Sequence, residues 1–201
     1  MTRAMRVRDM CAAALGLLVV WPALLAIAAA IRLDDGGPVL FRQERVGHRG
    51  RPFRIWKFRT MVVGADRMGQ PLTVGADRRV TRVGRWLRRY KLDELPQLVN
   101  VLRGEMRLVG PRPEVPRYVA LYSPTERRVL DLVPGITDPA SIRYARESDE
   151  LPAAAVDAER AYVTRIMPDK IRLNLDYAAR ATAWSDLSIV FSTVRRVVAR
   201  Q

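Results

Sequence analysis

The feature that most constrains this chain is Met10–Ile31, MCAAALGLLVVWPALLAIAAAI, 22 residues without a charged side chain. As a straight α-helix it is about 33 Å long, enough to cross a bilayer core. It is too long for the apolar part of a cleaved signal, and no convincing cleavage site precedes a mature start. Pro22, near the middle, lacks a backbone donor and crowds the preceding turn, which predicts a kink or break. Arg3, Arg6 and Arg8 flank one end; Arg32, Arg42, Arg45, Arg49 and Arg51 flank the other. Positive flanks stay on the cytoplasmic side. A single crossing satisfies one flank. A re-entrant segment bent at Pro22 satisfies both, if its freed backbone groups find cover. Both topologies stay open on this ground. No second apolar run of this length exists, so a polytopic protein is not expected.

Composition narrows what the rest can do. The 201 residues are 49% hydrophobic, enough for a core, and carry a net charge of +14. Such an excess points to a polyanionic partner: nucleic acid, anionic lipid or a phosphorylated small molecule. Cys11 is the only cysteine, so a disulfide framework and a cysteine zinc site are excluded. His48 is the only histidine, which argues against a Ser-His-Asp triad or a histidine base; a polar turn is its expected place. Acid–base or nucleophilic work falls to carboxylates, lysines and hydroxyls.

The expected fold class is α+β, rich in helix, with one small β-hairpin. "DDGGP" at 34–38 reads as a linker. Val39–Val46 and Phe53–Met61 are β-prone and flank the turn-rich "GHRGRP", a hairpin signal. Met61–Asp77 reads as loop. Arg78–Tyr90 places Val80, Val83, Trp86, Leu87 and Tyr90 on one helical face, with arginines elsewhere, a pattern shared by interfacial amphipathic helices and by solvated helices over a core. Leu95, Leu98, Val99 and Leu102 predict another amphipathic helix, stopped by Gly104. Pro111, Pro113 and Pro116 predict irregular chain, and "VPGITDP" a turn. Helices are expected within Pro116–Leu132, over Ala154–Ile166 and Lys170–Arg180, and after Ser185 as a cap.

"LDELPQL" at 92–98 places two acids side by side in a very basic chain. The plain reading of Asp93 is an N-cap, with Pro96 early in the helix. A helix N-terminus also favours an ionised carboxylate and attracts phosphate, which suits an aspartyl nucleophile aimed at phosphorus. Glu94 would orient it or handle a proton or metal; otherwise it is a stabilising first-turn acid. Basic clusters supply the counterpart: seven Arg/Lys within residues 41–60 and seven, with no acid, within 78–91. Lys57 and Arg59, alternating with Trp56 and Phe58, fall on one face of a strand. Arg112 stands between two prolines in "GPRP", a stiff setting suited to bidentate phosphate contact. With Arg85 from the second cluster, Lys57, Arg59 and Arg112 are the candidate substrate-binding residues. Asp93 is the candidate oxygen ligand for Mg²⁺.

"PVLFRQERVGHRGRPFRIWKFRTM", "RVTRVGRWLRRYKLDELPQLVNVLRGEMRLVGPRPE" and "PGIT" occur in that order after the apolar segment. The ordered set resembles the bacterial sugar transferase family, monotopic polyprenyl-phosphate phosphoglycosyl transferases, over nearly the whole chain. The resemblance implies that Asp93 and Glu94 are catalytic. Asp93 would attack the sugar-bearing phosphorus of a nucleotide diphosphate sugar, commonly a UDP-sugar, and expel the nucleoside monophosphate. Polyprenyl phosphate, usually undecaprenyl phosphate, would then take the sugar phosphate from the covalent aspartate intermediate, a first membrane step of surface glycan assembly. The resemblance also implies Mg²⁺, a re-entrant membrane helix-hairpin at 1–33, a transferase domain at 34–201, and a place on the cytosolic face of a bacterial inner membrane. The partners expected are nucleotide sugar, polyprenyl phosphate and membrane lipid, with a homo-oligomer among the allowed forms and no nucleic acid. A chain this short is expected to lack the extra N-terminal helices of larger relatives.

Two departures from the family pattern stand out. Many members carry Asp where this chain has Asn174, so a carboxylate role there would fall to Asp176. "DPASIRYARES" replaces the Gly-aromatic stretch that usually follows "PGIT", a change that bears on donor choice. The competing reading is a membrane-tethered basic protein that binds anionic lipid or nucleic acid, with no need for Asp93 and a steep salt dependence.

Overall fold

Thr2 opens the first helix by accepting a hydrogen bond from the Met5 amide on its side-chain oxygen. In the computed structural model, which describes residues 2–65, 68, 77–145 and 155–199, that helix, α1, runs from Arg3 to Asp35. Gly36 ends it at φ +71°, a left-handed conformation that glycine adopts without strain. Pro22 lies inside α1 and does not end it. The break expected at Pro22 is therefore corrected to a continuous helix: losing one amide donor costs less than abandoning the ladder on both sides. Ala13, Ile27 and Ile31 are buried against the remainder of the molecule, whereas Leu15, Leu18, Val19 and Leu25 are more than half exposed. One face of its apolar stretch is thus inside the protein, and the other is bare.

Both ends of α1 are tied to the same body. Near the start, Asp9 accepts Arg107 Nε at 3.0 Å, and Asp186 accepts Arg8 and Arg107 at 2.7 and 2.9 Å. At the end, Asp35 pairs with Arg59. Between them, Ala13 packs with Ile55, Val101 and Met106, and Ile27 and Ile31 with Phe58 and Leu87. Each aliphatic side chain so buried is worth about 1.5–3 kcal/mol.

The expected hairpin is present. β1 (Leu40–Val46) pairs antiparallel with β2 (Pro52–Phe58), Leu40 facing Phe58 and Val46 facing Pro52. The turn between them contains His48 and places Arg49 at φ +55° and Gly50 at φ +74°. Loop expected over Met61–Asp77 lies partly outside the described residues; Met61 itself bridges to Val80. α2 covers Arg82–Arg89 and starts later than expected because Thr81 caps it, accepting the Gly84 amide at 2.9 Å. Gly84 lets α2 press on the chain just after β2, since an added Cβ would sit 2.1 Å from the Thr60 carbonyl oxygen. Leu87 is fully buried, but Trp86 is 52% exposed and lies off the expected buried face.

A 3₁₀ turn, Leu92–Gln97, leads directly into α3, Leu98–Leu102. The side chains most buried here are Gln97, Asn100 and Val101, not the leucine stripe of the sequence pattern. Asn100 explains this: its Oδ1 accepts the Trp56 amide at 3.0 Å and its Nδ2 donates to the Arg54 carbonyl at 2.9 Å. It thereby satisfies the open edge of β2 as another strand would.

Two short strands went unseen in the sequence. β3 (Arg107–Val109) pairs parallel with β4 (Gly135–Thr137). The pairing brings Gly110 and Gly135 so close that a Cβ on Gly135 would lie 2.1 Å from the Gly110 nitrogen. Helix within Pro116–Leu132 shrinks to α4 (Pro116–Val119) and a 3₁₀ turn at Glu126–Asp131. α5 is Pro139–Arg143. Then α6 (Ala155–Ala161), a π-helical turn (Tyr162–Ile166) and α7 (Met167–Ala178) follow without a gap. The widened turn precedes Pro168, which has no amide to offer the preceding turn. α8 is Ala183–Val198, capped by Thr182; Ser185 reciprocates from the first turn instead of being the cap itself.

Candidate active site

Three chain segments meet at the acid pair. β2 brings Lys57, the 3₁₀ turn brings Asp93 and Glu94, and the stiff segment after β3 brings Arg112. The 3₁₀ turn is entered through Lys91 at φ +54°. Asp93 is 8% and Glu94 9% exposed. Glu94 accepts Lys57 Nζ at 2.9 Å and a two-pronged contact from Arg112, one prong at 2.9 Å. Asp93 Oδ1, also buried, has no hydrogen-bond partner among the described residues.

This geometry separates the two acids electrostatically. Burial alone would raise the Glu94 pKa, but the charges of Arg112 and Lys57 and the Arg112 hydrogen bonds hold it well below the carboxylate range. Burial pushes Asp93 up, and the charge of Glu94 adds to that; Lys57, Lys91 and Arg88 offset only part. Glu94 raises Arg112 further above its ordinary value. Burial lowers Lys57 despite the pull of Glu94. Two adjacent carboxylates thus differ in state, Glu94 a fixed anion within an ion-pair clamp and Asp93 an acid with one oxygen left open.

The cap reading of Asp93 is corrected here. Asp93 lies inside the 3₁₀ turn, no side chain caps that turn, and the preceding residue is Lys91. A helix dipole holding Asp93 ionised is likewise replaced by burial and a like charge, which work in the opposite direction.

Of the four basic candidates, Lys57 and Arg112 reach the pair. Arg59 does not: β2 ends at Phe58, the chain turns, and the Arg59 guanidinium is held by Asp35 and by the Pro38 and Met61 carbonyls. Arg85 is exposed on α2 and donates to the Val80 carbonyl at 3.1 Å. Two basic residues that the sequence reading counted but did not single out, Arg88 and Lys91, act electrostatically on Asp93. Arg88 also donates to Thr60 Oγ1 at 2.8 Å. Its place beside the buried Leu87, one turn from Arg85, is the signal that distinguishes it. Asp176 is exposed and pairs with Arg172 at 3.5 Å, so it does not stand in for Asn174, which is buried.

Among the described residues no three His, Cys, Asp or Glu side chains converge. A divalent cation held by protein alone does not fit, because Glu94 is committed to cations. A cation shared between the open Asp93 oxygen and a bound diphosphate does fit, since Mg²⁺ commonly takes one or two carboxylates with phosphate and water.

Residues 1–200 match the family model described as bacterial sugar transferase. A relative from Komagataeibacter xylinus, an undecaprenyl-phosphate glucose phosphotransferase, is 42% identical over 201 residues, covering 96% of this chain and 35% of its own length. A UDP-glucose:undecaprenyl-phosphate glucose-1-phosphate transferase from Caulobacter vibrioides is 42% identical over 192 residues, 94% of this chain and 67% of its own. A UDP-N-acetylgalactosamine-undecaprenyl-phosphate N-acetylgalactosaminephosphotransferase from Aeromonas hydrophila is 37% identical over 195 residues, 94% of this chain and 42% of its own. The chain thus spans from about a third to two thirds of the length of these relatives.

Proposed function

The chain belongs to the bacterial sugar transferase family, and from that premise we propose that it transfers a sugar 1-phosphate from a UDP-sugar to undecaprenyl phosphate. The observation that carries this reading is the buried, unpartnered Asp93 Oδ1 beside a Glu94 clamped by Lys57 and Arg112. The names of the relatives support the reaction class. Asp93 attacks the sugar-bearing phosphorus. The phosphoanhydride bond breaks, and UMP leaves with its electron pair. An oxygen of undecaprenyl phosphate then attacks the same phosphorus, the bond to Asp93 breaks, and the carboxylate is restored. One phosphoanhydride is exchanged for another, so the protein's main task is to bring a soluble donor and a lipid acceptor to one site. Arg112 and Lys57 fix Glu94 and supply positive charge near the phosphoryl oxygens, while Arg88 and Lys91 favour the ionised form of Asp93. A Mg²⁺ ion shared by Asp93 and the diphosphate would neutralise charge on the leaving group.

The membrane arrangement we propose is monotopic, with residues 1–33 in the membrane and residues 34–201 forming the transferase domain on the cytosolic face of the inner membrane. α1 is the one described helix long and apolar enough to cross a bilayer. Yet Asp9, near its start, pairs with Arg107 of that domain, and its other end joins Arg59 there through Asp35, which supports both ends lying on one side of the bilayer. On this reading the segment enters and leaves on one face, its bare apolar side in lipid. Exposed Trp86 on α2 and Trp184, Leu187 and Phe191 on α8 support interfacial contact. Cysteine labelling tests this: Arg3→Cys and Gln201→Cys, the latter outside the described residues, are both expected to label from the cytoplasm. An outside N-terminus contradicts it.

The reaction is tested with purified protein, Mg²⁺, a panel of UDP-sugars and undecaprenyl phosphate, reading UMP release. Release that Asp93→Asn abolishes is expected. No release with any donor, together with an Asp93→Asn protein of unchanged phenotype, contradicts the enzyme reading in favour of a basic binding protein.

A further inference from the structure

Arg112 has a second environment besides Glu94. It lines a cavity together with Asp138 and Ser141 from the start of α5, Tyr162 from the π-helical turn, and Lys170 and Asn174 from α7. Asp93 does not line it. Asp138 is 1% exposed. Its Oδ1 accepts the Ser141 amide at 2.8 Å and Asn174 Nδ2 at 3.3 Å, and its Oδ2 accepts the Ser141 hydroxyl at 2.7 Å.

This carboxylate is more than its structural duty requires. Asp138 caps α5, a task that Asn or Ser performs equally well. Among the described residues it has no salt-bridge partner; its hydrogen bonds come from neutral groups, and the charge of Arg112 acts on it from across the cavity. Asn174 is its fitted neighbour: a carboxylate at 174 would place two acids where both cannot ionise. One acid and one amide, with the Ser141 hydroxyl, line a cavity that Arg112 joins to the acid pair. Carboxylate oxygens accept from hydroxyls, and an amide both donates and accepts.

We propose that this cavity seats the sugar ring of the nucleotide-sugar donor, and that Asp138 with Asn174 selects the sugar through its hydroxyl groups. The inference rests on the transferase reading above. The sugar is assigned in preference to the nucleoside because Arg112 adjoins both the cavity and the acid pair. The cavity therefore borders the phosphorus that Asp93 attacks. The group that stays on that phosphorus is the sugar, whereas the nucleotide departs opposite the nucleophile.

The test is an exchange of the two side chains, Asp138→Asn with Asn174→Asp, which keeps one acid, one amide and a competent cap. The ratio of kcat/KM for UDP-glucose to that for UDP-N-acetylgalactosamine is measured by UMP release, with UDP inhibition measured in parallel. The exchange is expected to shift the donor ratio by about tenfold or more and to leave UDP inhibition unchanged. An unchanged ratio in a folded exchange protein overturns the inference, and so does weakened UDP inhibition with the ratio intact, which would assign the cavity to the nucleoside. If the exchange protein does not fold, Ser141→Ala retains the cap and is expected to shift the same ratio; an unchanged ratio there also overturns it. Wild-type protein that releases no UMP from any donor overturns the transferase reading and this inference with it. UMP release with an insensitive ratio overturns the inference alone.

Discussion

Among the described residues, one buried cluster of acids and arginines has every carboxylate oxygen engaged and another leaves an acid oxygen open. In the first, Asp9 and Asp186 have every carboxylate oxygen engaged: Arg8 and Arg107 serve Asp9, and Arg8, Arg107 and the Tyr177 hydroxyl serve Asp186. In the second, Glu94 is saturated by Lys57 and Arg112 while Asp93 keeps a bare oxygen. The first cluster ties α1 to β3 and α8, and its satisfaction is what a structural staple requires. The second leaves a buried acceptor unmet beside positive charge, the place where the proposed reaction would bring the phosphorus of the donor. Burial alone therefore does not separate the two clusters; the unpartnered Asp93 oxygen does.

The comparison can be broken most severely at Asp93. Asp93→Asn is expected to lower UMP release by about 10⁴-fold or more, the scale of losing a nucleophile. The same change should leave thermal stability equal or higher, because it removes a buried charge whose desolvation Lys57, Lys91 and Arg88 offset only in part. Loss of stability comparable to that of Glu94→Gln would place Asp93 in a structural role.

Glu94→Gln is next. It strands Lys57 and Arg112, and it is expected to cost about 3 kcal/mol by denaturant unfolding, in the range for breaking a buried pair, along with most activity. Arg107→Gln strands Asp9 and Asp186 and is expected to cost about 2–3 kcal/mol. Activity measured well below its melting temperature should fall far less than for Glu94→Gln. Equal activity losses would erase the distinction between staple and site.

The pH dependence of stability sharpens the same contrast. Asp93 titrates above its unfolded value, so its charge weakens the fold at neutral pH, and that penalty lifts as pH falls through its folded pKa toward about 4. Glu94 works with the opposite sign. Its stabilisation is complete above about pH 4.3 and is lost only as pH falls through its depressed value. The difference in unfolding free energy between Asp93→Asn and wild type should therefore shrink on acidification; a constant difference contradicts the raised Asp93 pKa. The smallest effect is expected at Arg85: Arg85→Ala should change stability by less than about 0.5 kcal/mol and UMP release by less than about twofold, in keeping with its exposure.

The sequence displays the long apolar helix, the hairpin, the acid pair and two of its four basic neighbours, because length, alternation and stiff prolines are local signals. It hides β3 and β4, whose three-residue strands are too short for a period to emerge and pair across a long loop. It misleads at Arg59, which alternates correctly with Lys57 until β2 stops one residue short of it. The leucine stripe of α3 misleads for a different reason. Asn100 and Gln97 occupy the buried side because an open strand edge needs hydrogen bonds there. The ionisation of Asp93 was also beyond reach, since its desolvation depends on chain segments distant in sequence.

The most direct measurement is intact-protein mass spectrometry after incubation with UDP-glucose and Mg²⁺ and without lipid acceptor, followed by peptide mapping. The expected result is the mass of one hexose phosphate, mapped to Asp93, formed with release of one UMP and discharged when undecaprenyl phosphate is added. UMP release without an adduct, or an adduct that persists in Asp93→Asn, would contradict it.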